Sequence, residues 1–327
     1  MFYAMITGTG LYHPDNLVTN AHMEKLLGQP LKPSLEGKLG IKQRYITNDD
    51  ESSVDLAEKA GEKAIIDAGL KPEDINLVIV ATDTPEYISP ATSSVVQGRL
   101  EAVNAGTFDL NASCSGFVSA LDVASRMVMS GGYEHILLIG VYNMTKFIDK
   151  TDVNVFPIFA DGAGAVVISK TTEQGGFVGS KLIADGTQYD LLGIYAGGTK
   201  HPITPQRLEN KEHLLQFLQP LPPDRNIKLW PPMIKDLLAE NGLEYKDIDH
   251  VFFTQINKWV IDEVMPILGL PMEKTTCIMD KYGYTGSACI PMALDVALKE
   301  GKIKKGDNVV FIASGVGFAV AAALYKW

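Results

Sequence analysis

One cysteine in the sequence lies where its thiol could act as a nucleophile. The residues before Cys114, TFDLN, predict a strand, and apolar residues recur at helical spacing from Ser115 to Met129, so Cys114 falls where a strand turns into a helix. Free N–H groups and the positive dipole end at a helix N-terminus favour a thiolate, and these N–H groups can hold the oxyanion formed when a thioester is attacked. A small buried residue at a helix start is the other interpretation, and the segment alone leaves both open.

The other two cysteines, Cys277 and Cys289, lie in no comparable context, and we expect both to be core residues. The three cysteines are too far apart for a CxxC redox or zinc motif, so we expect no bound metal. Their odd number argues against a disulfide framework, and a reducing cytoplasm fits best.

Charge and hydropathy argue against several classes of protein. The 327 residues carry a formal charge of -10 and no clustered run of Lys and Arg, which argues against a nonspecific nucleic-acid binder. No stretch of about eighteen uninterrupted apolar residues is present. The start, MFYAMITGTGLYHP, lacks a basic region, so we expect neither export nor a membrane span.

The elements that would position Cys114 belong to a duplicated unit. The segment KAIIDAGLKPEDINLVIVATDTP (63–85) and the segment IKDLLAENGLEYKDIDHVFFTQIN (234–257) both predict a helix, a glycine, an acidic turn and a strand. The match between SCSGFVSALDVA (113–124) and GSACIPMALDVA (286–297) is closer, and its shared ALDVA fixes a single offset between the two copies. Two matches in the same order indicate two similar halves.

These patterns predict an α/β fold. Continuous apolar runs such as VIVAT, ILLIGV and VVFIAS are expected when helices cover both faces of a sheet. We expect halves of about 1–170 and 171–327 that pack around a pseudo-twofold axis and share a core. The stretch 193–232, with its proline cluster LQPLPPD, interrupts the pattern and predicts an inserted loop and helix over a pocket mouth.

Taken in order, several segments resemble the β-ketoacyl-acyl carrier protein synthase III family of the thiolase superfamily. They are ITGTGLYHPDNLVTN, LGIKQRYITND, VIVATDTPEY, the elbow DLNASCSGFVSAL, FADGAGAVVIS and ASGVGFAVAAALYKW. The resemblance implies a five-layered αβαβα fold, a homodimer and a ping-pong transfer through acyl-Cys114. It implies that the acyl donor is a thioester of coenzyme A or of an acyl carrier protein, with no permanently bound cofactor. The backbone N–H of Val316 would join that of Cys114 in the oxyanion hole.

The sequence departs from this family at two positions that carry its condensation chemistry. The residues that align with the family's His and Asn are Thr254 and Tyr284, which offer a hydroxyl and a phenol. The His and Asn stabilise the enolate formed when a malonyl group loses carbon dioxide, so we expect ordinary malonyl decarboxylation to be suppressed and acylation to survive. His201 or His213 could restore the missing role. An ordinary decarboxylating synthase of fatty acid or polyketide biosynthesis, or a silent partner of an active homologue, are the alternatives.

A second departure lies in the loop that contacts the partner subunit in the family. Ser89 stands where some members have a large aromatic residue, which predicts, beside Tyr87, room for a longer or branched acyl group. Glu86 on the same segment is a candidate base toward the neighbouring active site, although an exposed Glu in a loop is usually only solvated.

The resemblance also implies where a phosphopantetheine thioester would bind. The family's basic residues at the mouth correspond to Lys38, with Ser34 in place of an aromatic residue, and to the neighbourhood of Lys258 and Trp259. Charge and stacking could hold the donor there, whereas a solvated lysine and a half-buried tryptophan are the plain alternative.

Two glycine motifs are interpreted as backbone features. Gly162 and Gly164 in DGAGA predict a close backbone approach, since the GxxxxGK[ST] spacing of a phosphate loop is absent. The GTG at 8–10 predicts a tight turn after the first strand, because no GxGxxG follows.

Overall fold

Two large mixed β-sheets organise the chain, and the computed structural model describes residues 2–327. The strands are β1 (Tyr3–Tyr12), β2 (Leu17–Thr19), β3 (Gln43–Tyr45), β4 (Leu77–Ala81), β5 (Gly106–Leu110), β6 (His135–Asn143), β7 (Asp161–Thr171), β8 (Gly176–Ala184), β9 (Leu192–Gly193), β10 (Gln216–Phe217), β11 (His250–Phe253), β12 (Asn308–Gly315) and β13 (Ala319–Lys326). The helices are α1 (Asn20–Leu27), α2 (Ser34–Gly37), α3 (Ser53–Asp67), α4 (Thr92–Arg99), α5 (Gly116–Met129), α6 (Pro205–Glu209), α7 (Arg225–Glu240), α8 (Lys258–Ile267), α9 (Met279–Tyr282) and α10 (Cys289–Lys299).

The two large sheets share the order and directions of four strands, and the first sheet has one strand more. The first has the order β1-β7-β6-β4-β5 and the second the order β8-β13-β12-β11. In both, the first three strands pair antiparallel and the next pair is parallel. The predicted α/β fold of two related halves is therefore confirmed.

Helices fill the space between and outside the sheets in five layers. α3 packs on β1, β6 and β7, α5 and α10 lie between the two sheets, and α7 packs on β8, β12 and β13. Every residue of β4 and of β11 is buried, because helices cover both faces of each sheet. The core is thus shared by the two halves, as the thiolase-like αβαβα expectation requires.

The stretch 193–232 is not an insertion relative to the first half, which corrects that part of the prediction, although Leu215, Leu221 and Arg225 of this stretch line the Cys114 cavity. The segment from the start of β8 to the end of α7 has the same length as the segment from the start of β1 to the end of α3. The connection between strand and helix is therefore equally long in both halves. Residues 225–232 moreover belong to α7, although Pro231 and Pro232 lie inside it. The helix forms despite the prolines because its apolar face, including Trp230, Ile234 and Leu237, is buried against the second sheet.

The GTG motif lies inside β1 and forms no turn, which corrects the prediction for residues 8–10. A Cβ atom on Gly8 or Gly10 would overlap the carbonyl oxygens of Ala64 and Ala60, so these glycines let α3 lie directly on the strand. Gly164 serves α10 in the same way, since its Cβ would come within 2.6 Å of Met292 N. The close approach predicted for the DGAGA segment is therefore an approach between elements of the core.

Candidate active site

Cys114 sits on a tight elbow between β5 and α5. A short 3-10 turn over Ser113–Ser115 joins the two elements, and Ser113 adopts a left-handed backbone with φ of 50°. The turn is held locally, because Ser113 N donates to Asn111 Oδ1 at 2.9 Å and Ser115 Oγ donates to Ala112 O at 2.7 Å. The sulfur is thereby presented at the carboxyl edge of the first sheet, ahead of the first turn of α5.

The end of β12 packs directly against this elbow. A Cβ atom on Gly315 would lie 2.6 Å from Ala112 O and 3.0 Å from Cys114 N, so only glycine fits there. The next residue, Val316, lines the same cavity as Cys114. The two backbone segments predicted to form the oxyanion hole thus lie beside the same cavity.

Cys114 opens into a cavity of about 80 Å³. Its wall combines polar groups near the sulfur with an apolar lining contributed by both halves. The lining residues are Asp83, Cys114, Tyr142, Met144, Phe159, Leu192, Leu215, Leu221, Arg225, Asn226, Thr254, Ile256, Tyr284, Ser314, Gly315 and Val316. This volume is small for a ligand site, because pockets for small molecules usually span about 300 to 1,000 Å³.

Thr254 and Tyr284, which align with the family's His and Asn, both line this cavity. Thr254 is buried, and its Oγ1 accepts a hydrogen bond from Ser314 N at 2.9 Å, which leaves the hydroxyl hydrogen free to donate. Tyr284 is buried and hydrogen-bonds to the Cys114 thiol, and burial raises its pKa well above the ordinary range. Tyr284 is therefore a neutral phenol donor beside the sulfur.

The resting thiol of Cys114 is protonated, which corrects the expectation of a thiolate. Burial raises the pKa of Cys114 strongly, and the charge of Asp83 raises it further. The hydrogen bond from Tyr284 and the N–H of Cys114 itself lower the pKa of the thiol by less than these effects raise it. The helix N-terminus alone does not offset the partial burial of this sulfur, so attack on a thioester requires a group that removes the proton.

A carboxylate that we did not predict lies in the cavity. Asp83 follows β4 by two residues, and β4 pairs parallel with β5, which leads into Cys114. The carboxyl ends of adjacent parallel strands meet at one edge of a sheet, and this rule could have drawn attention to Asp83 in the sequence. Burial raises the pKa of Asp83 to about 6.

The two histidines proposed to replace the family's imidazole lie elsewhere. His201 Nδ1 is 3.2 Å from Tyr195 O, and neither His201 nor His213 lines the Cys114 cavity. That alternative is therefore not supported. The segment around them does cover the cavity, but with the apolar side chains Leu215 and Leu221 and with Arg225, whose guanidinium stacks 3.8 Å from the Phe318 ring centroid.

The loop that follows Asp83 does not line the cavity of its own chain. Tyr87 is 54% exposed, and Ser89 is exposed beside Ile88, which is 86% exposed. Glu86 Oε2 accepts a hydrogen bond from Val54 N at 3.0 Å, at the first turn of α3. Glu86 is thus not a base for its own Cys114, and any role of these residues at a neighbouring subunit stays a prediction.

The residues expected to bind the thioester donor lie together at the surface. Trp259 N donates to Lys38 O at 2.9 Å, and a Cβ atom on Gly40 would lie 2.9 Å from Lys258 Cβ. Lys38 is exposed and Trp259 is half-buried, shortly after the cavity residue Ile256 in the chain. Lys258 Nζ forms an ion pair with Asp262 at 2.6 Å, which offsets part of its charge. Ser34 is exposed on α2.

Cys277 is half-buried and Cys289 is buried at the start of α10, and all three cysteines are free. Within residues 2–327, no three His, Cys, Asp or Glu side chains are grouped so that they could hold a metal ion. In the same range, no helix is long and apolar enough to cross a membrane.

Comparisons with known proteins agree on one family. The family model described as 3-oxoacyl-[acyl-carrier-protein (ACP)] synthase III matches residues 108–186, and the model of its C-terminal part matches residues 238–327. The chain is 36% identical to a β-ketoacyl-[acyl-carrier-protein] synthase III of Caldanaerobacter subterraneus subsp. tengcongensis, over 99% of this chain and 98% of the relative.

Solved structures give the same result. The 3-oxoacyl-[acyl-carrier-protein] synthase III of Aquifex aeolicus superposes with a TM-score of 0.88 at 30% identity, over 99% of this chain and 100% of that one. The priming β-ketosynthase of the R1128 polyketide pathway superposes with a TM-score of 0.88 at 28% identity, over 99% of this chain and 96% of that one.

Proposed function

The chain belongs to the 3-oxoacyl-[acyl-carrier-protein] synthase III family and is an acyltransferase, and we propose that it carries an acyl group on Cys114 and passes it on without malonyl decarboxylation. The donor in this proposal is a thioester of coenzyme A or of phosphopantetheine on a carrier protein. The observation that carries the proposal is the cavity itself, in which Thr254 and Tyr284 flank Cys114 and no imidazole is present among the described lining residues.

The acylation half-reaction needs only groups that the cavity contains. The Cys114 sulfur attacks the thioester carbon, and the N–H groups of Cys114 and Val316 would stabilise the oxyanion. The phenol of Tyr284 donates to the sulfur, which helps Cys114 to act as a leaving group when the acyl group moves on. None of these steps uses the residues that the family employs for decarboxylation.

The decarboxylation step lacks its usual donors. Removing one oxyanion donor lowers the rate by about 100- to 1000-fold in a measured case, and this cavity has exchanged two. Asn226 is the amide among the lining residues, and its Oδ1 accepts from Ser314 Oγ at 3.0 Å; its Nδ2 would supply one amide donor, but no imidazole among the described lining residues would accompany it. We therefore propose an acceptor other than a malonyl thioester.

The acyl group and the assembly are part of the same proposal. The cavity of one chain suits a short acyl group such as acetyl. We propose a homodimer in which the exposed loop 86–90 lies against the partner, and only there would Tyr87 and Ser89 shape a longer pocket. Lys38, Lys258 and Trp259 would bind the phosphopantetheine arm, and the cytoplasm is the proposed compartment.

Ordinary malonyl condensation is the second candidate, because the relatives that match the full length are named β-ketoacyl-[acyl-carrier-protein] synthase III. Release of labelled carbon dioxide from malonyl thioester separates the two candidates. We expect no release above background from the parent, and release from Thr254→His combined with Tyr284→Asn. Release by the parent at the rate of a family member would contradict the proposal.

The double variant needs a control for nonspecific effects on the cavity. Thr254→Val with Tyr284→Phe removes both hydroxyl groups and introduces no imidazole or amide. This control should release no carbon dioxide, and it should retain acylation of Cys114 at a reduced rate. Release by the control would show that the identity of the two side chains does not govern decarboxylation.

A further inference from the structure

Asp83 is the acidic residue whose carboxylate faces the reacting sulfur, and its surroundings are unusual. Its Oδ1 is buried and has no hydrogen-bond partner within the described part of the chain. An unpartnered buried polar atom is rare in folded proteins, because it forfeits hydration without compensation. The aspartate therefore calls for a reason other than stability.

Other buried carboxylates of the protein are fully engaged. Asp161 is completely buried, and it accepts hydrogen bonds from Thr47 N at 2.8 Å, from Thr145 N at 3.1 Å and from the hydroxyls of both threonines. Asp295 is 2% exposed, and it accepts from Thr9 Oγ1 at 2.8 Å and pairs with Lys299 at 2.8 Å. Asp161 and Asp295 thus have hydrogen-bond or ion-pair partners, whereas the Oδ1 atom of Asp83 has none within the described part of the chain.

The backbone that carries Asp83 is rigid. Thr82 N donates to Leu110 O at 3.1 Å, which ties the end of β4 to the end of β5. Thr84 N donates to Thr82 Oγ1 at 3.0 Å, and Asn143 N donates to Thr84 Oγ1 at 2.9 Å. Both neighbours of Asp83 are therefore fixed, and its side chain is held at the floor of the cavity beside Cys114.

We propose that Asp83 is the catalytic base and acid of this site, and that the acceptor is a hydroxyl, an amine or a thiol. In acylation, Asp83 takes the proton of the Cys114 thiol as the sulfur bonds to the acyl carbon. It returns the proton to the sulfur of coenzyme A or pantetheine when that bond breaks. In transfer, Asp83 takes the acceptor's proton as the acceptor bonds to the acyl carbon, and the proton then goes to the departing Cys114 sulfur.

This inference rests on the proposed acyl transfer through Cys114, and two further facts support it. The Cys114 thiol is protonated at rest, so a proton must be removed before attack. Asp83 has a pKa of about 6, raised by burial, so it is ionised near neutrality and basic enough to accept a proton. The charged and titratable groups that face Asp83 across the cavity are Cys114 before α5, Tyr142 on β6, Arg225 on α7 and Tyr284 before α10.

The test measures the rate of Cys114 acylation by acetyl-coenzyme A as a function of pH, with intact-protein mass spectrometry. The parent rate should rise through a pH of about 6 as Asp83 ionises. Asp83→Asn should lower the rate by roughly 100- to 10,000-fold and abolish this pH limb. Asp83→Glu should keep the limb and recover part of the rate. Glu73→Gln removes a negative charge from the exposed turn before β4 and should change neither.

Alkylation of Cys114 by iodoacetamide is a second readout, and its rate should change in the opposite direction to the acylation rate. Because the charge of Asp83 raises the pKa of the thiol, Asp83→Asn should alkylate faster near neutral pH while it acylates more slowly. Loss of both acylation and alkylation in Asp83→Asn is the result expected if the substitution only collapses the cavity. This result would contradict a catalytic role.

The outcomes separate this inference from the proposed function. If the parent forms acyl-Cys114 and Asp83→Asn does so at the same rate and with the same pH profile, the role of Asp83 is refuted and the acyl-enzyme stands. If the parent forms no adduct, both the acyl-Cys114 intermediate and the role of Asp83 are refuted.

Discussion

The two halves of the molecule contain the same strand-to-helix elbow, and they differ in the space in front of it. The elbow at Ser113–Ser115 precedes α5, and the elbow at Gly286–Ala288 precedes α10 at the corresponding place in the second half. Both begin with a left-handed residue, Ser113 with φ of 50° and Gly286 with φ of 43°. The residue that corresponds to Cys114 is Ser287, which is 1% exposed and donates from Oγ to Val141 O at 2.8 Å.

The space in front of each elbow is set by one residue of the facing strand. Gly315 at the end of β12 faces the first elbow, and Tyr142, its counterpart near the end of β6, faces the second. A Cβ atom on Gly286 would overlap the Tyr142 ring, so the ring fills the volume that stays open in front of Cys114. The strand-to-helix elbow is thus common to both halves, and a glycine in place of a tyrosine leaves the open space in front of Cys114.

Gly315→Ala should close the first elbow and produce the largest effect. Its Cβ would press on Ala112 O and Cys114 N, which displaces an oxyanion donor, and we expect acylation to slow by roughly 100-fold or more. Gly98→Ala is the matched control, since a Cβ at Gly98 meets nothing within 4 Å. Acylation kinetics of both variants check this, and an active Gly315→Ala would show that the approach of β12 is not required.

Gly286→Ala should disrupt the packing of the second elbow, and it changes no residue that takes part in the proposed reaction. The left-handed φ and the overlap with Tyr142 should lower the free energy of unfolding by about 1 to 3 kcal/mol. Chemical denaturation measures this change. An unchanged stability would mean that the second elbow is not packed as tightly as the comparison of the two halves requires.

Asp83→Asn should make the protein more stable while it removes activity. The folded pKa of about 6 lies above the ordinary value of 3.8, so the protein loses stability as the pH rises through this window. We expect the variant to be more stable than the parent near neutral pH by roughly 1 to 3 kcal/mol, and by much less at a pH of about 4. Denaturation at the two pH values checks the sign, and a destabilised variant at neutral pH would contradict it.

Ser287→Ala should have the smallest effect. The variant loses one buried hydrogen bond to Val141 O, which costs about 1 kcal/mol of stability, and acylation of Cys114 should proceed at the parent rate. Thermal unfolding and the acylation assay together check both expectations. A large loss of activity would show that the two elbows are coupled, and the comparison would then need revision.

Much of the fold could be predicted from periodicity and from the internal match. The offset between the two halves, read from ALDVA, also relates β1 to β8 and β6 to β12. The proline cluster LQPLPPD lies in a loop, as the sequence suggests, and α7 begins directly after it, because burial of one helical face outweighs Pro231 and Pro232. The GTG motif was misjudged because a sequence cannot show that a helix lies over the strand.

The residues of the candidate site could be predicted from the sequence only in part. Cys114, Thr254 and Tyr284 could be named from the elbow and from the aligned motifs, and the structure brings them to one cavity. Asp83 could not be distinguished from Glu86 in the sequence, because only the structure shows that Glu86 accepts a hydrogen bond from Val54 N in α3 and that Asp83 Oδ1 is buried without a partner in the described part of the chain. The ionisation of Cys114 was misjudged because burial outweighs the helix terminus.

Peptide mapping by mass spectrometry after incubation with acetyl-coenzyme A tests the role of Cys114 most directly. We expect an acetyl adduct on the Cys114 peptide that is retained in Cys277→Ser and absent from Cys114→Ala. An adduct that persists in Cys114→Ala, or a parent protein that remains unmodified with every short acyl thioester, would contradict this role.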